Sequence, residues 1–155
     1  MAAGAPTQPV PFVMGEEVRG TAHFDAAGIR QFASLAGDTN PLHHDETAAR
    51  RSRFGGLIAS ATQTTSVMLG RLAQFVCARA NVVGLGYAVK LLRAVPAGAT
   101  GEILWRVVSI EPKLSLGGTI VRFEGELRVD GRPAVTATCD NLVLGPALGQ
   151  ASAQA

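Results

Sequence analysis

From Leu57 to about Ala80 the chain runs without a proline or a carboxylate. That stretch limits the available folds more than any other. As one helix it would reach on the order of 30–35 Å, enough to cross a domain or a bilayer. Gln63, Arg71, Gln74 and Arg79 lie inside it, and charges within a membrane span are costly. A buried core helix is the better reading. Ala59, Ser60, Ala61, Ser66 and Gly70 are small enough to let a sheet wrap closely around it, although Gly70 weakens a helix interior.

The second half of the chain supplies that sheet. Val82–Arg93, Gly101–Ile110, Gly118–Val129 and Arg132–Leu144 are rich in β-branched residues and separated by turn signals. Pro96-Ala97-Gly98 breaks the first pair. Asp130-Gly131 marks a hairpin, since a type I′ turn needs positive φ at its centre. Gly117-Gly118 is a turn or bulge; no helix follows it, so it is not a phosphate loop.

Ahead of the long helix, Glu17 to Phe24 reads as a first strand, with His23 on its face. Asp25 can cap a helix carrying Ile29, Phe32, Ala33 and Ala36 at helical spacing, and Gly37 can end it. Asp45 can cap a short second helix from Thr47 to Arg51. Strands and helices segregated in this way predict one α+β domain with an antiparallel sheet. It spans 12–144, between loose ends at 1–11 and 145–155.

Composition narrows the function classes. With 47% hydrophobic and 17% charged residues the chain is globular. A net charge of +2, with no basic run interleaved with aromatics, gives no nucleic-acid footprint. Arg50-Arg51-x-Arg53 reads as a solvated helix end rather than a phosphate site. Cys77 and Cys139 lack metal-ligand spacing and read as buried free thiols of a reducing compartment. The start of the chain has no basic residue and no apolar run, so it is not a signal peptide, and a cytoplasmic location is expected.

The chemistry concentrates in Ala36-Gly37-Asp38-Thr39-Asn40-Pro41-Leu42-His43-His44-Asp45. Pro41 ends any helix running through Gly37 and pushes Asn40 towards extended backbone. Asp38 and His43 are too far apart for one turn of a helix, yet a broken loop can aim both inward. A carboxylate beside an imidazole suits proton transfer near neutral pH. By residue type alone the same stretch also fits a plain turn between helices.

Phe32-x-x-Leu35-x-Gly37-Asp38-x-Asn40-Pro41-Leu42-His43-x-Asp45 resembles the signature of the MaoC-like dehydratases, the (R)-specific enoyl-CoA hydratases of the hot-dog fold. Phe54-Gly55-Gly56-Leu57-Ile58-Ala59-Ser60-Ala61 resembles the block that opens the family's central helix. The blocks stand in order and at the family's spacing, and the likeness extends in outline over 12–144. It implies a hot-dog domain, with a curved antiparallel sheet wrapped round the long helix. It implies hydration of trans-2-enoyl thioesters to (R)-3-hydroxyacyl thioesters, or the reverse dehydration. Asp38 and His43 match the catalytic pair, and Asn40 matches the amide that fixes it. Register selects His43 over His44, because the pattern requires proline, an aliphatic residue, then histidine. Which of Asp38 and His43 is the base stays open, since a coupled pair shares its protons.

A thioester enolate builds charge on its oxygen and needs a donor aimed there. The family uses a backbone N–H at the start of the central helix, which falls near Ser60-Ala61. Many members have His-Gly there, and the exchange to Ser-Ala bears on pocket width and donor placement. No cofactor and no metal is implied. The acyl carrier would be CoA or acyl carrier protein, with Arg53, Lys90 and Arg93 as candidates for its phosphates. A homodimer or larger assembly, with the acyl pocket near the interface, is expected. Two rivals stand beside this reading. One is a non-catalytic acyl-thioester binding protein. The other is a thioesterase, disfavoured because 57–80 carries no carboxylate to activate water.

Overall fold

The computed structural model describes residues 9–148. Residues 1–8 and 149–155, most of the ends expected to be loose, lie outside them. Strand β1 (Glu17–Phe24) leads into α1 (Ala26–Leu35), a 3-10 turn (Pro41–His43) and α2 (Glu46–Arg51). The long helix α3 (Ala61–Cys77) follows, then β2 (Ala80–Leu91), β3 (Ala99–Lys113), a second 3-10 turn (Leu114–Leu116), β4 (Gly118–Val129) and β5 (Arg132–Pro146). The strands form one antiparallel sheet in the order β1-β3-β4-β5-β2. Register shifts in the β2–β5, β3–β4 and β4–β5 pairs supply the local bending that curls such a sheet. The expected α+β class, a sheet curved about one long helix, is present.

Several boundaries differ from the sequence expectation. The long helix begins at Ala61, not Leu57. Ala59 N–H donates to the Val95 carbonyl at 2.8 Å, and Ala97 N–H donates to the Leu57 carbonyl at 2.8 Å. Residues 57–59 therefore bond across to another segment rather than up a helix. Ser60 then caps α3, its hydroxyl accepting from Gln63 N–H. With 17 residues the helix is about 25 Å long. No helix among the described residues is long and apolar enough to cross a membrane. At the far end β5 runs on to Pro146, and Val10 packs against the core, so part of each expected loose end is ordered.

The helix meets the sheet along a different stripe from the one expected. Thr64, Met68, Leu72 and Val76 are buried, four apart along one face. Ala61, Ser66 and Gly70 are exposed, and a Cβ on Gly70 would meet nothing within 4 Å. Those three line the outer face, whereas Ala59 and Ser60, just ahead of the helix, are buried as expected, and mainly Met68, Leu72 and Val76 make the contact. Cys77 is also exposed, contrary to expectation, whereas Cys139 is buried.

Trp105 sits at the centre of the core, fully buried, its indole N–H donating to the Met68 carbonyl at 3.0 Å. Its register partner on β4 is Gly125, where a Cβ would stand 2.3 Å from the ring. The absence of a side chain there is what admits the indole. The β4–β5 pair is bridged on the outer face by Arg122 and Asp140 (2.6 and 2.8 Å). That guanidinium holds the Asp140 carboxyl below its ordinary range.

Among the described residues strand β2 pairs only with β5. Val83, Leu85, Tyr87, Leu91 and Leu92, on or just beyond it, are largely exposed.

Candidate active site

The end of α1 aims Asp38. Gly37 adopts φ +71, Gly37 N–H donates to the Ser34 carbonyl, and Asp38 N–H donates to the Ala33 carbonyl at 2.8 Å. This is a Schellman closure, in which the positive φ falls on the residue best able to adopt it. The helix terminus therefore fixes the backbone of Asp38 as well as stopping the helix.

Asn40 and Pro41 then set the turn. Asn40 is extended, as the residue before a proline should be. Its side-chain oxygen accepts from Leu42 N–H at 3.1 Å. Its backbone does the rest: its N–H donates to Asp38 Oδ1 at 3.0 Å, and its carbonyl accepts from His43 N–H at 2.9 Å. Asn40 thus links the two residues through its main chain. The side-chain amide therefore bonds Leu42 and neither member of the pair, and it is the main chain of Asn40 that reaches Asp38 and His43.

His43 is buried. Its Nδ1 lies 2.8 Å from the Ile58 carbonyl oxygen, which can only accept, so Nδ1 carries a proton and donates. Nε2 is therefore the nitrogen free to give or take a proton, and it faces Asp38 Oδ2 at 3.4 Å. That is longer than a closed ionic hydrogen bond of about 2.7–2.9 Å, a looseness common before substrate draws such a pair together. The side chain of Asp38 is 34% exposed and that of His43 only 7%. One partner meets solvent while the other is held inside.

Two supports escaped sequence reasoning. Ile58 N–H donates to the Leu42 carbonyl at 3.1 Å, so Leu42, His43 and Ile58 lock the loop onto the segment before α3. Arg30 on α1 donates to the His44 carbonyl at 3.1 Å and pairs with Glu46. Backbone carbonyls leave no mark in a sequence, and Arg30 falls at an ordinary position on its helix. His44, set aside on register, has its Nε2 2.6 Å from the Asp38 carbonyl oxygen. It braces the loop rather than facing Asp38's carboxylate.

The start of α3, Ala61, comes three residues after Ile58. The N–H groups of Ala61 and Thr62 open the helix and have no acceptor within it, and the positive end of the helix dipole favours negative charge there. Among the described non-glycine residues only Asp130 has positive φ. Ala61 is therefore helical without strain, and its exposed methyl leaves the backbone donor in place.

The expected phosphate contacts are not gathered around the pair. Arg53 is exposed with its guanidinium 5.6 Å from the centroid of the Phe54 ring. Lys90 lines a cavity of about 500 Å³ with Arg106, Glu124 and Glu126, and Arg93 lines another of about 400 Å³ with Asp130 and Arg132. Asp38 and His43 line neither. No group of three or more His, Cys, Asp or Glu side chains among the described residues is placed to hold a metal.

Comparison with known proteins identifies the family and the fold. The family model described as the MaoC like domain, a dehydratase model, matches residues 6–117. An (R)-hydratase from A. caviae involved in PHA biosynthesis superposes with a TM-score of 0.76 at 23% identity, covering 86% of this chain and 98% of that one. The R-hydratase PhaJ1 from Pseudomonas aeruginosa gives 0.77 at 20% identity over 88% and 84%. A MaoC-like dehydratase from Rhodospirillum rubrum gives 0.73 at 26% identity over 88% and 96%. These likenesses establish the hot-dog fold. No curated protein sequence matches the chain.

Proposed function

The chain belongs to the MaoC-like dehydratase family, and from that premise we propose that it hydrates trans-2-enoyl thioesters to (R)-3-hydroxyacyl thioesters, or runs the reverse dehydration, with Asp38 and His43 sharing the proton transfers. The observation that carries this reading is the facing of His43 Nε2 and Asp38 Oδ2, with His43 Nδ1 engaged by Ile58. One orientation of the ring is thereby selected, and one nitrogen is left for water. In hydration a base takes a proton from water as its oxygen bonds to the β-carbon, and the α-carbon then receives a proton. A pair held on one side of the substrate can do both, and delivery from one face sets the stereochemistry. The enolate oxygen would lie against the N–H groups of Ala61 and Thr62.

The carrier is taken to be CoA or acyl carrier protein, with exposed Arg53 as the phosphate contact nearest the site in sequence. Lys90 and Arg93, lining separate cavities, have a weaker claim. Free Cys77 and Cys139 fit the expected reducing cytoplasm. The test is direct: crotonyl-CoA should lose its conjugated enoyl absorbance on adding the protein and yield the (R)-alcohol. Release of free thiol with the enoyl band intact would mean a thioesterase instead. Binding without turnover across chain lengths would mean a binding protein.

A second copy is expected to pair at β2. A free edge carrying exposed Val83, Leu85 and Tyr87 is a surface that soluble proteins cover. Light scattering should give about twice the chain mass of 16.0 kDa, and the double change Leu85→Lys with Tyr87→Lys should shift it to one. A wild-type monomer at micromolar concentration would sink the dimer.

A further inference from the structure

Nearly every polar atom of Asp38 is held by the protein. Its N–H donates to the Ala33 carbonyl at 2.8 Å, and its Oδ1 accepts from Asn40 N–H at 3.0 Å. Its carbonyl oxygen accepts from His44 Nε2 at 2.6 Å. Oδ2 is left to face His43 Nε2. The first two bonds come from main chain close by. The third comes from a side chain to which the proton transfers assign no part.

His44 is itself held on both sides. Its N–H donates to the Pro41 carbonyl at 3.1 Å, and its carbonyl accepts from Arg30 Nε at 3.1 Å. Arg30 also donates to Glu46 at 2.8 Å. Arg30 lies on α1, the helix whose closing turn leads into Asp38. The imidazole is thus a strut between two points fixed to one helix.

A carbonyl only accepts, so His44 Nε2 carries the proton of this bond. The Asp38 carbonyl shares a rigid peptide plane with the N–H of the next residue. Holding the carbonyl therefore fixes ψ of Asp38 and the path to Asn40, whose N–H holds Oδ1. Without the donor that plane can rock, and Oδ2 loses its line to His43. The side chain of Asp38 is 34% exposed, so packing does little to replace the lost bond.

We propose that His44 is a positioning residue for the hydration chemistry, its Nε2–H holding the main chain of Asp38 so that the carboxylate stays aligned on His43 Nε2. This rests on the hydratase reading, and His44 acts through Asp38 rather than on the substrate.

The test measures kcat and KM for crotonyl-CoA, and melting temperature, in wild type, His44→Leu and His44→Gln. His44→Leu is also made in an Asp38→Asn background. Leucine removes the donor, whereas glutamine offers an amide N–H at similar reach. His44→Leu should lower kcat by about 10- to 100-fold, as expected when a reacting group is misplaced by about 1 Å. KM should stay within about twofold. His44→Gln should recover most of the loss. In the Asp38→Asn background the leucine change should cost less than about threefold, because the carboxylate it positions is gone. A residue that merely stabilises the turn would lower both backgrounds alike. An equal loss in both, or a His44→Leu variant retaining more than about half of the wild-type kcat, overturns the role of His44 and leaves the hydratase reading intact. Should the leucine variant not fold, His44→Gln decides: wild-type kcat supports the role, and a tenfold loss at an unchanged melting temperature, about the size set for leucine, overturns it. Asp38→Asn as fast as wild type overturns both readings.

Discussion

Asp38→Asn should cut crotonyl-CoA hydration by about 1,000-fold, within the range of 10²–10⁴ typical for a positioned acid–base group. His43→Ala should do the same. Asparagine keeps the acceptor for Asn40 N–H, so the turn survives while the carboxylate chemistry is lost. Circular dichroism and melting temperature should therefore change little in Asp38→Asn. His43→Ala also gives up the bond to Ile58 and leaves a small void, so a modest loss of stability should accompany its loss of rate. Because the two groups act on one proton inventory, the double variant should be little worse than either single one. Single variants retaining more than a tenth of wild-type kcat/KM would remove Asp38 and His43 from the mechanism. The fold would be unaffected by that result.

Trp105→Ala should destabilise the protein by about 3–5 kcal/mol, the usual cost of emptying a buried aromatic site. That is a large share of the roughly 5–15 kcal/mol by which domains are stable. The indole is fully buried, bonds the Met68 carbonyl and occupies the room left by Gly125. Its loss removes the contact between the middle of α3 and the middle of the sheet together. Urea unfolding should show a lower midpoint with an unchanged slope. A midpoint shift equivalent to less than 1 kcal/mol would mean that the core collapses readily around the gap.

Much of the architecture was legible because it rests on local chemistry. Asp25 and Asp45 each cap a helix, as their side-chain oxygens favour. Gly37 ends α1 with a positive φ, and Asp130-Gly131 turns β4 into β5 with positive φ at both residues. The start of α3 was misplaced because residues 57–59 are apolar and helix-compatible. What pulls them extended is a pair of hydrogen bonds to Val95 and Ala97, far along the chain. The buried stripe was misjudged for a related reason. Small residues fit equally well against a close neighbour or facing outward, and only the position of the sheet decides.

In the site, residue types and register were enough to single out Asp38, Asn40 and His43, because proline geometry and a family-like spacing are written into consecutive positions. The support was hidden. The Ile58 carbonyl that orients His43 and the Arg30 brace depend on which backbone and side-chain groups meet after folding.

The sequence by itself determined the order of elements and the turns and singled out the candidate loop, since caps, prolines, glycines and alternation act over a few residues. Tertiary structure alone decided where α3 begins, which of its faces meets the sheet and which nitrogen of His43 is free. Each of these depends on a partner distant in the chain, and a hydrogen bond or a packed ring exists only when both members have been brought together.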